Sequence, residues 1–148
     1  MDGANRPTCV MSYMREVTMA IYPTPEQMQE LMKGPADSPV VMVNLLKFKA
    51  KADASEGDVS GVEAYMRYGA KMREFVESKG GRSIWSGRVD SQVIGEDGDG
   101  FDVVALVEYP SRAAFLKIVS DPYVEKDIGM HRAAGLEMQW LIATTEAP

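Results

Sequence analysis

The chain has 148 residues, 45% of them apolar and 26% charged, so a single core can form without disulfides or a metal. A net charge of −6, with Lys and Arg scattered rather than clustered, argues against a nucleic-acid partner, which is held mainly through its phosphates. The one cysteine, Cys9, excludes an intrachain disulfide and a cysteine-based zinc cage. No segment is apolar enough for a signal peptide or a membrane span, so a cytoplasmic protein with no membrane partner is expected.

Residues 1–12 are polar and turn-rich, and they are expected to add little to stability. Val17–Tyr22 could form a short strand. A helix follows: Thr24 suits the N-cap, Pro25 the first helical position and Gln27 the reciprocal capping position, with Met28, Leu31 and Met32 as the apolar stripe and Gly34-Pro35 as the stop. Val40–Phe48, VVMVNLLKF, is apolar on both faces and predicts a central strand. Lys49–Ser60 is charged and small-residue-rich, which suggests a solvated loop. Ser60 and Glu63 form a second capping box at the start of a long helix, whose buried stripe is expected at Val62, Tyr65, Gly69, Met72 and Val76.

Gly80-Gly81 ends that helix, and Arg82–Ile94 reads as a strand bent at Gly87. The acidic segment Gly95–Gly100 has the composition of a hairpin turn but lacks the spacing of a calcium loop. Phe101–Tyr109 is the returning strand. Ser111 caps a short helix carrying Phe115, Ile118 and Val119, and Asp121-Pro122 opens another that runs to about Gly135. Leu136–Thr144 is the last strand.

After residue 37 the order is therefore β-α-β-β-α-β, the ferredoxin-like α+β unit, preceded by a 1–37 extension with one helix. Right-handed crossovers place the helices on one face of a four-stranded antiparallel sheet. The other face is left bare and apolar. A second copy of the chain would cover it, so a homodimer is expected.

Five stretches carry a family resemblance: PVVMVNLLKFK (39–49), AYMRYG (64–69), the GGR…W segment (80–85), VALVEYPSRAAFL (104–116) and SDPYVEKDIGMHRAAGL (120–136). Together they resemble the domain of unknown function 1330 family within the dimeric α+β barrel superfamily. The resemblance implies the fold and the dimer but no particular reaction. Superfamily relatives include cofactor-free monooxygenases, isomerases and haem-binding enzymes, and fold alone does not choose among them.

Asn44 shares a strand face with Met42, Leu46 and Phe48, so its amide needs a partner in the protein or in a ligand. His131, the sole histidine, falls on the inward stripe of its helix with Val124 and Ile128 and is the side chain best suited to move a proton. Arg132 points elsewhere on the same helix, towards an anionic ligand or a surface carboxylate such as Glu125. Tyr65, Tyr68, Trp85, Tyr109 and Tyr123 are the aromatic candidates for cavity walls. Gly69 is unfavourable in mid-helix, and close packing is the expected reason.

These residues set up one geometric expectation: Asn44, Tyr68, Trp85 and His131 line a common cavity for a small hydrophobic or aromatic molecule. His131 and Asn44 would be its catalytic groups, and Tyr65, Tyr68, Trp85 and Arg132 its binding groups. No metal and no cofactor are expected. A cofactor-free enzyme and a non-catalytic binding or structural dimer both fit.

Overall fold

A computed structural model describes residues 20–148. The expectations for residues 1–12, for Cys9 and for the start of a strand at Val17 lie outside the described residues. Ala20–Tyr22 is irregular, although the Ala20 carbonyl accepts a hydrogen bond from Gln139 N at 2.9 Å.

Helix α1, Pro25–Met32, forms with the complete capping box: Gln27 N donates to Thr24 Oγ1, and Thr24 N donates to Gln27 Oε1. It buries no residue fully, because only Met28 and Leu31 reach the core. Strand β1, Val40–Phe48, lies at the centre of a four-stranded antiparallel sheet with β2 (Arg82–Arg88), β3 (Val103–Tyr109) and β4 (Leu136–Thr144) in the order β2-β3-β1-β4. Val40, Met42, Leu46 and Phe48 face the helices and are buried, as a row of apolar side chains on one side of a strand requires. Each removes enough surface from water to contribute about 2 kcal/mol.

Helix α2, Gly61–Ser78, starts where expected, with Glu63 N donating to Ser60 Oγ. Its buried stripe is rotated from the expected one. Gly61, Ala64, Met72 and Val76 face inward, whereas Val62 is exposed. Helix α3, Arg112–Val119, is capped by Ser111, which accepts from Ala114 N. The next segment is not one regular helix. Tyr123–Ile128 is wound as a π-helix, and only Gly129–Gly135, helix α4, is α-helical. Asp121 Oδ1 accepts from Tyr123 N at its start.

Val40, Met42 and Tyr109 from the sheet pack against Met72, Val76, Phe115, Ile118, Val124 and Ile128 from the helices, which places the helical layer on one face. Where β1 ends, the backbones of α2 and α4 nearly touch. A β-carbon on Gly61 would stand 2.1 Å from the Lys49 carbonyl oxygen, and one on Gly135 would stand 2.3 Å from the Gly61 carbonyl oxygen. Only glycine permits that approach. Lys49 bridges the contact, donating from N to Gly135 O and accepting from Gly61 N.

Strand β2 is shorter than expected. It ends at Arg88, and residues 89–102 form an irregular loop with Val93 and Ile94 almost fully exposed. The irregularity in β2 lies between Ser83 and Trp85, not at Gly87.

Arg112 is the one arginine buried in the described structure. Its Nη1 donates to Pro35 O at 3.0 Å and its Nη2 to Thr145 Oγ1 at 3.1 Å, while Nε is sealed without a partner.

Candidate functional site

Two polar clusters flank α4, and neighbouring residues of that helix feed them. Successive side chains on an α-helix diverge by about 100°, so His131 and Arg132 serve different surroundings.

His131 Nδ1 lies 2.7 Å from Glu56 Oε1 and 2.9 Å from Oε2, and Arg67 Nη1 donates to Glu56 Oε1 at 3.1 Å and to Glu56 O at 2.8 Å. Glu56 belongs to a short 3-10 turn, Ala54–Glu56, inside the segment that looked solvated in the sequence. Its carboxylate is shallow, yet its neighbours close over it and leave the side chain 4% exposed. Burial pushes its pKa up, but the hydrogen bonds and charges of His131 and Arg67 outweigh that and hold it below the usual carboxylate value.

On the other side of α4, Arg132 Nη2 donates to Ile21 O and, at 2.6 Å, to Gln139 Oε1. Gln139 Nε2 donates to Asn44 Oδ1 at 2.8 Å, and Asn44 Nδ2 donates to Ala105 O at 3.2 Å and Met42 O at 3.4 Å. This chain crosses the helix side of the sheet from β4 to β3. It answers the need for a partner that Asn44 posed. Tyr22 lies under the guanidinium, with Arg132 Cζ 5.3 Å from its ring centroid. The expected surface pair of Arg132 with Glu125 is not formed.

Tyr65 and Tyr68 of α2 stand beside this chain, their ring centroids 5.5 Å apart, with Phe48 5.1 Å from Tyr65. The Gly61–Gly135 approach holds them there, because Tyr65 lies one turn beyond Gly61 and Arg132 about one turn before Gly135. Burial raises the pKa of both phenols. Tyr68 adds to the shift at Tyr65, and the Arg132 charge opposes the shift at both. Tyr109 is raised by burial and by these two neighbours. All three phenols are therefore neutral O–H donors near pH 7.

None of the three hydroxyls has a hydrogen-bond partner among the described residues. The only sealed, unpartnered side-chain nitrogen or oxygen among those residues is Arg112 Nε, so none of the three phenol oxygens is fully sealed from solvent. Gly69 lies one turn beyond Tyr65. A β-carbon there would find only Tyr65 Cε1, at 3.7 Å, so close packing is not what demands a glycine.

The expected common cavity is thus corrected in two respects. Trp85 pairs with Leu106, and Leu106 with Val43, on the sheet face opposite Asn44, where the indole is 57% exposed and lies over Gly87. The bulge at Ile84 shifts the alternation of β2 and sends Trp85 there. His131 is engaged with Glu56, and no hydrogen bond joins it to Asn44. The residues that do assemble are Asn44, Tyr65, Tyr68, Tyr109 and Arg132.

Gln139, Glu56 and Arg67 were missed. A glutamine on the inward side of β4 was a readable signal, but a lone glutamate in a polar loop was not. Two surface hollows lie elsewhere, one of about 340 Å³ beside Phe75 and Tyr123 and one of about 160 Å³ beside Lys47 and Glu137. Among the described residues no group of three or more His, Cys, Asp or Glu could hold a metal, and no helix is long and apolar enough to cross a membrane.

No family model and no curated protein matches the chain. Solved structures do. The RPA0582 protein of unknown function from Rhodopseudomonas palustris superimposes with a TM-score of 0.79 at 30% identity, over 88% of this chain and 99% of that one. Its methylated form gives 0.79 at 31% identity, over 88% and 97%. A dabb family protein from Mesorhizobium loti, described as having a ferredoxin-like fold, gives 0.50 at 13% identity, over 74% and 98%, a likeness of fold alone. The fold is the ferredoxin-like α+β sheet that the element order predicted, and the chain belongs to the family of the Rhodopseudomonas palustris protein of unknown function.

Proposed function

We propose that the chain is a cytoplasmic homodimer of the dimeric α+β barrel kind, akin to the domain of unknown function 1330 family, that binds a small, largely apolar molecule without a cofactor. The binding site is the space beside Tyr65, Tyr68 and Tyr109 on the helix side of the sheet. One observation carries it: three neutral phenols converge, and their hydroxyls are neither fully sealed nor partnered among the described residues. Protein interiors seldom leave donors idle, whereas binding sites hold a few convergent polar groups among apolar walls.

The test is titration of the full chain with benzamide, followed by backbone amide NMR. Shifts centred on Asn44, Tyr65, Tyr68 and Tyr109 are expected. Shifts centred on the hollow beside Phe75 and Tyr123, or no shifts at all, would overturn the reading.

The dimer rests on the sheet face opposite the helices. Trp85, Trp140 and Ile142 are 57%, 40% and 47% exposed there, flanked by Val43, Leu45 and Leu106. That is an apolar patch of the kind that marks an interface. Sedimentation at micromolar concentration is expected to give a dimer, and Trp140→Glu a monomer. A monomeric wild type would sink the proposal.

A second reading, a cofactor-free enzyme, draws on His131. Its Nδ1 is oriented by Glu56, and its Nε2 has no partner among the described residues, which is how a histidine is held for proton transfer. If a bound ligand turns over, His131→Ala abolishes turnover and leaves binding intact. Unchanged turnover in that variant removes His131 from the chemistry.

A further inference from the structure

The charge on Arg132 defines the ligand more narrowly. A guanidinium has five N–H donors. Ile21 O and Gln139 Oε1 take the two on Nη2, so five less two leaves three, on Nη1 and Nε, without a partner among the described residues. Arg67, Arg73 and Arg82 each meet a carboxylate; Arg132 meets none among the described residues. Its position is nevertheless fixed, by the Gln139–Asn44–Ala105 chain on one side and the Tyr22 ring beneath. A half-buried cation held in place with idle donors is arranged for an anion that arrives from outside.

The surroundings set the size and charge of that anion. Tyr65 and Tyr68 offer two neutral hydroxyl donors close enough for the Arg132 charge to act on both. Phe48 and the tyrosine rings offer apolar walls. Lys49, the other cation bonded to α4, is already tied to Asp53 at 2.9 Å. One unbalanced positive charge matches one negative charge, and the walls match an apolar body.

On the reading of the phenol cluster as a binding site, we propose that its ligand is a small monocarboxylate with an apolar body. The carboxylate sits on Arg132 and the Tyr65 and Tyr68 hydroxyls, and the apolar body lies against the aromatic rings.

Benzoate and benzamide have nearly the same shape and differ in charge, so titrating both into the full chain isolates the inference. Wild type is expected to bind benzoate at least about tenfold more tightly than benzamide, the scale of a charge-assisted contact over a neutral one. Arg132→Gln is expected to remove that preference, so that benzoate binds no more tightly than benzamide. If Arg132→Gln fails to fold, the double variant Tyr65→Phe/Tyr68→Phe replaces it, with a several-fold loss of benzoate affinity expected. Equal affinities in wild type, both mapping to the phenol cluster, would overturn the anion inference and leave the binding site standing. Failure of both probes to bind there would overturn the site and the inference together.

Discussion

The two clusters on either side of α4 differ in one respect that matters: one is charge-balanced and the other is not. His131 and Arg67 both bond the Glu56 carboxylate and close over it, which joins the 49–60 loop to α2 and α4. Arg132, Gln139 and Asn44 form a chain of equal order that ends on a cation with no carboxylate partner among the described residues. The first arrangement has the look of a fastener. The second leaves Arg132 donors without partners among the described residues, as the proposed binding site requires. Function is better sought where hydrogen-bonding capacity is left over than where a titratable residue is merely inward.

Substitutions at four positions break or sharpen this contrast. The largest effect is expected from Glu56→Ala, which strips His131 and Arg67 of their shared acceptor and should cost about 2 kcal/mol, a fall in Tm of roughly 4–8 °C. Acid should mimic it. The Glu56 pKa is lowered in the folded state from its ordinary 4.5, so its stabilisation is complete above that value and is lost as pH falls through the lower native one. Thermal melts from pH 7 down to about 3 should therefore be steeper for wild type than for Glu56→Gln. Parallel curves would mean that the cluster fastens nothing.

A smaller effect of opposite sign is expected at Gly69. The space around it admits a β-carbon, so Gly69→Ala should stabilise by up to about 1 kcal/mol. If that space serves the ligand, benzamide affinity falls in the same variant. A loss of stability would show that the glycine is structural after all.

The smallest effect is reserved for Tyr65→Phe and Tyr68→Phe. Neither hydroxyl has a partner among the described residues, so each change should move stability by less than about 0.5 kcal/mol, as chemical denaturation can measure. A cost of 1–2 kcal/mol would place these hydroxyls in the fastening class.

Much of the fold was legible in the sequence because local signals and global order agreed. The Thr24 and Ser60 caps, the continuous VVMVNLLKF run and the Asp121-Pro122 start all appear where their chemistry puts them. The failures have local physical causes. A bulge at Ile84 exchanged the faces of β2 and carried Trp85 away from the site. A π-helix from Tyr123 to Ile128 replaced the first part of the expected helix, and Arg132 turned to Gln139 and Ile21 rather than to Glu125 at the surface. The contact between Gly61 and Gly135 displaced the inward stripe of α2 and left Val62 outside. Asn44, Tyr65, Tyr68 and Arg132 were recognised as polar or aromatic groups in apolar rows. That Gln139 links two of them required the register of β4 against β1.

Arg112 has a mechanical consequence. Its two terminal nitrogens hold the stretch before β1, at Pro35, and the stretch after β4, at Thr145, so the chain enters and leaves the sheet at one rivet. Tension applied between those stretches loads that rivet before it reaches the ladder between β1 and β4, and cutting it lets both strands be peeled from the same end. Joining the two stretches and opening the chain in the exposed 89–102 loop would relieve the rivet of that load while keeping every strand beside its present neighbours.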